Sequence, residues 1–429
     1  MNWDDLQYQY GFGNEFESEA LPGALPRGQF SPQQVPLGLY AEQFSTTAFT
    51  VARARQRRTW LYRIRPAVVQ SDPVARSMGN IRTAPDSTAV VTPAPLRWDP
   101  IDMPVTPTTV IDSLMTIVTN GDVDQHMGMA VHLYAANASM ARQYFSTTDG
   151  ELLIIPESGS LRIATECGRL VVSPGEICVI PAGMRFKIEI TDAQVRGYIC
   201  ENYGEPLCLP ERGVIGANGL ANERDFAYPV AAFEDLSCAC ELTTKYAGEL
   251  FTITLDHSPL DVVAWTGNSA PYKYDLARFN TINTVSFDHP DPSIFTVLSS
   301  PGLSPGIANL DFVIFPPRWM VAEQTFRPPY FHRNTMSEVM GLIRGVYDAR
   351  ETGFVPGGLS LHNGMTPHGP EANVADMAAK VDLQPVKLTD TLAFMLESPY
   401  RMRPTRAAMT EPGPQAEYTA SWQSIPRRF

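Results

Sequence analysis

The chain has 429 residues, 44% of them hydrophobic, which is enough for two globular domains or one large double-layered domain. Its formal net charge of -13 argues against nucleic acid or an anionic membrane as the main partner. The first residues lack the basic and apolar regions of a secretory signal, and no apolar run is long enough to span a bilayer. Together these properties favour a cytoplasmic, soluble enzyme.

Proline and glycine occur throughout the chain, which has 37 prolines and 30 glycines, so long helices are hard to place. Short runs rich in β-branched and aromatic residues recur between them, which predicts a mainly β protein. The closest cysteines, Cys238 and Cys240, have one residue between them rather than the two of a redox or zinc motif. We therefore expect the six cysteines to be buried, reduced thiols.

The N-terminal hundred residues contain many turn signals and one basic run, residues 53–58. Such a run could bind phosphate, but in so acidic a chain a charged patch at a strand end or subunit contact is the simpler interpretation. We assign it no chemistry.

Evenly spaced strands are predicted between residues 150 and 202. They fall at 151–155, 160–165, 169–173, 176–180, 185–190 and 194–200. This spacing is typical of an antiparallel sandwich or barrel of the jelly-roll kind. Within it, Gly175, Pro181 and Gly183 resemble the second sequence motif of the cupin superfamily, whose small barrels often hold a metal.

This half of the chain lacks the metal ligands that cupin motifs usually carry. The corresponding positions are occupied by Ser146, Thr148, Leu152 and Phe186. We therefore expect no metal in this half.

Further strands are predicted at 251–255, 262–265, 293–298 and 312–315, before a segment that contains His332 and Glu338. A straight strand would separate these two side chains by roughly 20 Å, and a straight helix would place them on different faces. If both bind one metal, the chain must turn between them. Residues 333–335 can form that turn, so we expect one hairpin to carry both ligands.

The segment resembles an altered first cupin motif, in which Asn334 replaces the second histidine and Gly345 is the last glycine. Two histidines and one carboxylate leave three open positions on an octahedral ion, an arrangement that suits Fe(II) and its reactions with dioxygen. Zinc is the commoner partner of histidine and glutamate. Spacing alone leaves the third ligand open between His362 and His368.

The remaining predicted elements are a helix at 371–380, a closing strand at 391–397 and a loosely ordered tail from residue 404. Two cupin-like cores, one without ligands and one with them, indicate an internal duplication. The predicted fold is therefore mainly β and bicupin-like, with a large N-terminal β-sandwich domain and a C-terminal jelly-roll domain.

Several segments closely resemble the homogentisate 1,2-dioxygenase family, and they are spread so that the resemblance extends over nearly the whole chain. They are residues 11–15, 39–43, 60–64, 271–274, 287–289, 311–319, 326–345 and 365–370. The resemblance implies an N-terminal β domain with a metal-free cupin-like core at 1–280 and a C-terminal iron-binding catalytic domain at 281–429. It also implies a homo-hexamer built as a dimer of trimers. The N-terminus and the tail are not matched.

The same resemblance implies roles for individual residues. Fe(II) would be bound by His332, Glu338 and His368, with His362 behind them as a second-sphere group. His289 would be the catalytic acid-base residue, and Tyr347 would contact the substrate, with His368 beside it. The substrates would be homogentisate and O2 and the product 4-maleylacetoacetate, a step of tyrosine and phenylalanine catabolism.

The residue chemistry agrees with these roles. The neutral imidazole of His289 titrates near the working pH and can accept a phenolic proton. Arg333 is the nearest cation in sequence for the substrate's acetate group, although strand alternation points it away from His332.

Two other functions remain open. One is another bicupin metalloenzyme, either a gentisate-type dioxygenase or a zinc- or manganese-dependent isomerase. The other is a non-catalytic storage or binding bicupin, which would have no use for an acid-base group such as His289.

Overall fold

A computed structural model describes residues 3, 5–286, 291–347, 353–411 and 413–429. The strands of the first two thirds of the chain are β1 (Tyr8–Tyr10), β2 (Phe16–Glu19), β3 (Tyr40–Ser45), β4 (Arg58–Arg63), β5 (Val74–Arg76), β6 (Leu96–Trp98), β7 (Met115–Asp122), β8 (Met127–Ala136), β9 (Gln143–Thr147), β10 (Glu151–Ser158), β11 (Leu161–Thr165), β12 (Gly168–Val172), β13 (Glu176–Ile180), β14 (Phe186–Ile190), β15 (Val195–Asn202), β16 (Phe226–Pro229), β17 (Cys240–Tyr246), β18 (Glu249–Leu255), β19 (Val262–Gly267) and β20 (Tyr272–Asp275).

The last third adds β21 (Thr296–Pro301), β22 (Ala308–Phe315), β23 (Arg318–Met320), β24 (Ser337–Gly345), β25 (Leu359–His362), β26 (Val386–Leu388), β27 (Thr391–Ser398) and β28 (Arg403–Pro404), together with the helix α1 (Ala372–Lys380). Single-turn 3-10 helices occur at Pro36–Gly38, Arg53–Arg55, Val123–Gln125, Gly213–Ile215, Glu223–Asp225, Leu276–Arg278, Pro292–Phe295 and Tyr418–Trp422.

Two large sheets form the N-terminal sandwich. One has nine strands in the order β1-β16-β20-β13-β10-β15-β8-β7-β28, and the other has seven in the order β12-β11-β14-β9-β17-β18-β5. Apolar side chains from both sheets, such as Leu153 and Ile163, lie in one buried core. Burying these side chains stabilises the sandwich by about 25 cal/mol for each Å² of apolar surface.

A third sheet carries the candidate site and packs on the nine-stranded sheet. Its six strands are ordered β21-β22-β27-β24-β25-β6. The Tyr198 hydroxyl of β15 lies 3.0 Å from the carbonyl oxygen of Leu342 and 2.9 Å from that of Gly358. A Cβ at Gly341 would lie 2.3 Å from the Phe394 ring of β27 and 3.1 Å from Tyr198 Cε1, so a larger residue here would force these rings to shift. The Tyr198 contacts hold β24 against the N-terminal sandwich.

The two halves of the chain also exchange strands. From the N-terminal half, β6 pairs with β25, placing Trp98 opposite Leu359. In the other direction, β28 pairs with β7 at the edge of the nine-stranded sheet. Smaller sheets, β2-β19-β4-β3 and β23-β26, complete the fold.

The mainly β, bicupin-like fold predicted from the sequence is confirmed. All six predicted strands between residues 150 and 202 are present as β10 to β15, and the predicted helix and closing strand are α1 and β27. The strand predicted at 293–298 begins later, at Thr296, because Asp291 accepts a hydrogen bond from the Ser293 N–H and starts a 3-10 turn. Strands β7 and β8 were not predicted.

The tail that was predicted to be loosely ordered contains one regular element. Beyond residue 404 the chain forms the 3-10 helix Tyr418–Trp422, and the Tyr418 side chain is buried. Contacts with distant parts of the chain, rather than local sequence signals, hold it there.

Several charged groups of the N-terminal half are buried in pairs. Lys245 Nζ lies 2.9 Å from Glu201 Oε2 and closer still to Asp149 Oδ2, and all three side chains are buried. In the basic run, Arg55 pairs with Glu205 and Arg58 with Glu15 at the surface.

The six cysteines are free thiols, four buried and two half-buried. Within the described residues, no helix combines the length and apolar character needed to cross a membrane.

Candidate metal centre

The backbones at His332 and His368 bring two distant segments together. The His332 N–H donates to the His368 carbonyl at 2.9 Å, and the His368 N–H donates to the His332 carbonyl at 3.1 Å. This isolated antiparallel bridge differs from the hairpin expected to carry His332 and Glu338. Glu338 instead lies near the start of β24, beyond a bend in the chain.

Three side chains converge beside this bridge. Glu338 Oε1 lies 3.8 Å from His332 Nε2, and Glu338 Oε2 lies 3.2 Å from His368 Nε2. One ligand atom from each residue lies within 4.8 Å of the other two, which suits a single metal ion. Glu338 and His368 are buried, whereas the His332 side chain is 24% exposed. The site is therefore open on the His332 side.

Both imidazole rings are oriented by backbone carbonyls. His332 Nδ1 lies 2.6 Å from the Tyr330 carbonyl oxygen, and His368 Nδ1 lies 2.9 Å from the Thr366 carbonyl oxygen. A carbonyl can only accept, so each Nδ1–H donates. The Nε2 atoms, which face Glu338 in the structure, would then offer their lone pairs to a cation bound in place of these contacts. Metal-binding histidines are commonly oriented by a partner of this kind.

The Glu338 carboxyl group is ionised and can bind a cation. Burial alone would raise its pKa, but hydrogen bonds with His332 and His368 outweigh burial and hold the pKa of Glu338 well below its usual range. Burial would lower the pKa of His332, and its contact with Glu338 raises that pKa above the ordinary value. The Asn334 side-chain N–H also donates to Glu338 Oε1. Glu338 is thus an oriented anion between two imidazoles.

Glu338 belongs to a row of polar residues that crosses the sheet. Asp311, Glu397, Glu338 and His362 lie directly opposite one another on β22, β27, β24 and β25. Residues opposed in this way point to the same face. Burial, reinforced by the negative charges of Glu338 and Asp311, raises the pKa of Glu397 to about 8, and burial also raises the pKa of Asp311. A cation at the site would relieve this concentration of acidic groups.

Two acidic residues of this row were not predicted from the sequence. Asp311 and Glu397 were not predicted as part of the site, since strand register cannot be read from sequence spacing. His362 ends β25, and its ring lies parallel to the His368 ring, with centroids 4.3 Å apart and planes at 3°.

The other predicted residues have different positions. Tyr347 follows β24, is buried, and packs edge-on against Phe315. Arg333 is exposed to solvent. His289 lies outside the described residues. In the N-terminal half, the Phe186 ring packs edge-on against Phe145 at the position where cupins carry a histidine.

Two mainly antiparallel β units and one His/Glu/His group, buried except on its His332 side, define a bicupin-like protein with a candidate metal centre. Residues 7–276 match the model of the homogentisate 1,2-dioxygenase N-terminal domain, and residues 277–429 match that of the C-terminal domain. The chain belongs to the homogentisate 1,2-dioxygenase family and is an enzyme.

Individual members of this family are similar to the chain over nearly their whole length. The chain is 57% identical over 426 residues to homogentisate 1,2-dioxygenase of Pseudomonas savastanoi pv. phaseolicola, covering 99% of this chain and 97% of that protein. It is 56% identical over 433 residues to the enzyme of the same name from Pseudomonas fluorescens strain Pf-5, covering 100% of this chain and 99% of that protein. The resemblance predicted from the sequence is confirmed, and the family match extends through the tail to residue 429, which had seemed unmatched.

Proposed function

We propose that the protein cleaves the aromatic ring of homogentisate with O2 and forms 4-maleylacetoacetate, as a step in tyrosine and phenylalanine catabolism. The observation that carries this proposal is the His332, Glu338 and His368 group, whose ligand atoms lie within 4.8 Å of one another, in a chain of this family. Both oxygen atoms of O2 enter the product as one ring carbon–carbon bond breaks.

The donor set fits Fe(II). Two imidazole nitrogens and one carboxylate form the set that non-haem Fe(II) oxygenases use, with positions left open for substrate and dioxygen. The anionic Glu338 and the two Nε2 lone pairs would hold the ion. Bound there, Fe(II) would supply the electron relay between the aromatic ring and dioxygen.

The remaining residues act on the substrate. His289 would accept a phenolic proton of homogentisate, since a neutral imidazole is an effective base near neutral pH. The Tyr347 hydroxyl would orient the substrate from one side, and His368 would border it from another. His362 would support His368 by ring stacking.

We also propose the division of the chain near residue 280, a homo-hexamer arranged as a dimer of trimers, and a cytoplasmic location. The family models, which meet between residues 276 and 277, support the division. Light scattering coupled to gel filtration should give about six times the chain mass of 47.3 kDa.

The activity is tested by oxygen uptake after anaerobic loading of the metal-free protein with Fe(II). We expect uptake with homogentisate and far less with gentisate or catechol. Asp376→Asn, which alters only an exposed ion pair on α1, is the control and should match the parent. Uptake with gentisate alone would assign a different dioxygenase, and no uptake by folded, iron-loaded protein would favour a metal-dependent isomerase.

A further inference from the structure

The C-terminal segment, residues 413–429, contacts the candidate metal centre at two separate points. The first contact is a hydrogen bond of 2.7 Å between Tyr418 Oη and His362 Nε2. The second runs from the Trp422 indole N–H, which lies 3.1 Å from the Pro370 carbonyl oxygen and 3.3 Å from that of Gly369. One contact thus reaches the residue stacked on His368, and the other reaches the backbone just after His368.

The segment is itself fixed in place. The Arg97 guanidinium lies 4.5 Å from the centroid of the Tyr418 ring, a cation-π contact between two buried side chains. Arg97 also donates from Nε to the Gln415 side chain, and the Gln415 N–H donates to the Arg97 carbonyl at 2.7 Å. Tyr418 and Trp422 rings contact each other at 5.3 Å. These contacts anchor the segment on the N-terminal strand β6.

The Tyr418 contact restrains the His362 ring. The χ2 torsion of a histidine is broad, so stacking leaves the ring some freedom to rotate. The hydrogen bond between Nε2 and a buried, anchored phenol restricts that rotation. Since the His362 and His368 rings are parallel at 4.3 Å, a fixed His362 limits how far His368 can tilt.

We propose that residues 413–429 act as a clamp on the metal ligand His368, in which Tyr418 and Trp422 are positioning residues. Tyr418 acts through the His362 ring, and Trp422 acts through the Gly369 and Pro370 carbonyls. This inference rests on the proposed metal centre. It adds to that centre a part of the chain that contributes no ligand.

The test compares two variants with a matched control. Tyr418→Phe removes one hydroxyl and keeps the ring that Arg97 contacts, and Trp422→Phe removes the indole donor. Tyr62→Phe is the control, because it also removes one buried hydroxyl, which bonds the Phe30 carbonyl at 2.9 Å in a different sheet. Metal-free proteins are titrated anaerobically with Co(II), and the visible ligand-field spectrum and the dissociation constant are measured.

We expect Tyr418→Phe to weaken Co(II) binding measurably, by less than the roughly tenfold loss that follows removal of a direct hydrogen-bond partner of a ligand, because Tyr418 acts through His362. Its Co(II) spectrum should shift, while its melting temperature without metal should match that of Tyr62→Phe. Trp422→Phe should change the Co(II) dissociation constant and the ligand-field spectrum in the same direction as Tyr418→Phe. With Fe(II), Tyr418→Phe should lower kcat more than it raises KM.

A Tyr418→Phe protein with the affinity and spectrum of Tyr62→Phe would refute the clamp while leaving the metal centre intact. If Tyr418→Phe does not fold, unchanged values in Trp422→Phe refute the clamp instead. A folded parent that binds no Co(II) would refute the metal centre itself, and the clamp with it.

Discussion

His332 and His368 hold each other by two reciprocal backbone hydrogen bonds, of 2.9 and 3.1 Å, although they lie in separate segments of the chain. The pairing decides where both Nε2 atoms lie relative to Glu338. Any change that moves one backbone should therefore move two of the three candidate ligands together.

Gly369→Ala should separate this pair. A Cβ at Gly369 would lie 2.6 Å from the Phe331 ring and 2.9 Å from the Phe331 Cα, so the segment must shift. We expect a loss of about 1–3 kcal/mol in unfolding free energy and a clear loss of metal affinity, measured by urea unfolding and metal titration. Gly175→Ala is the control, because it strains a left-handed backbone with φ of +93° but lies in the N-terminal half. Equal metal affinity in the two variants would contradict the prediction.

Asn334→Ala should weaken metal binding without unfolding the protein. The Asn334 amide donates to Glu338 Oε1, and its loss frees the carboxylate to rotate. We expect the metal dissociation constant to rise about tenfold, as measured by anaerobic titration. Thr335→Ala changes the exposed neighbouring residue and should bind metal like the parent. Tight binding by Asn334→Ala would show that Glu338 needs no such support.

His289→Ala should separate chemistry from metal binding. Because His289 is proposed as a base and not as a ligand, the variant should keep its iron and lose most of its turnover. Iron content and oxygen uptake measured on the same sample decide the matter. Normal turnover, or loss of iron, would remove His289 from its proposed role.

Lys245→Met should destabilise the N-terminal sandwich. It leaves Asp149 and Glu201 buried without their cation, which costs about 3–5 kcal/mol. Urea unfolding at neutral pH measures the loss. Lys380→Met, which breaks an exposed ion pair on α1, should cost less than about 1 kcal/mol.

The same cluster gives a pH dependence of stability. Burial would raise the pKa of Glu201, but Lys245 and His132 outweigh burial and lower it to about 2. A carboxyl whose pKa is lower in the folded state stabilises the fold above its unfolded pKa, near 4.5, and this stabilisation is lost as pH falls toward 2. The unfolding free energy of Glu201→Gln should therefore change less with pH than that of the unsubstituted protein between pH 5 and about 3. A slope equal to that of the parent would contradict the assignment.

Parts of the fold and site could be predicted because their signals are local. Strands β10 to β15 alternate or are bounded by turn residues, and the motif around His332 and Glu338 lies within one short segment. By contrast, nearly every residue of β8 is buried, so this strand lacks the alternation that marks a half-exposed one.

Other parts depend on contacts between distant residues. Spacing left His362 and His368 equal as third ligand, and only the family resemblance separated them, because the bridge that brings His368 to His332 has no local signal. The 3-10 helix of the tail also depends on distant contacts. Tyr418 contacts His362 and Arg97, and Trp422 contacts the backbone just after His368. Glu397 joined the site only through strand register.

The central claim is that the His332, Glu338 and His368 centre inserts both atoms of dioxygen into homogentisate. The most direct test is a brief turnover of the Fe(II)-loaded protein under ¹⁸O2, quenched by reduction of the new ketone before its oxygen exchanges with water. The ring-opened product is then analysed by mass spectrometry, with Glu338→Ala as the metal-deficient comparison. We expect the unsubstituted protein to form a product that carries two ¹⁸O atoms, and Glu338→Ala to form no product. A product with one ¹⁸O atom or none, or full turnover by Glu338→Ala, would contradict it.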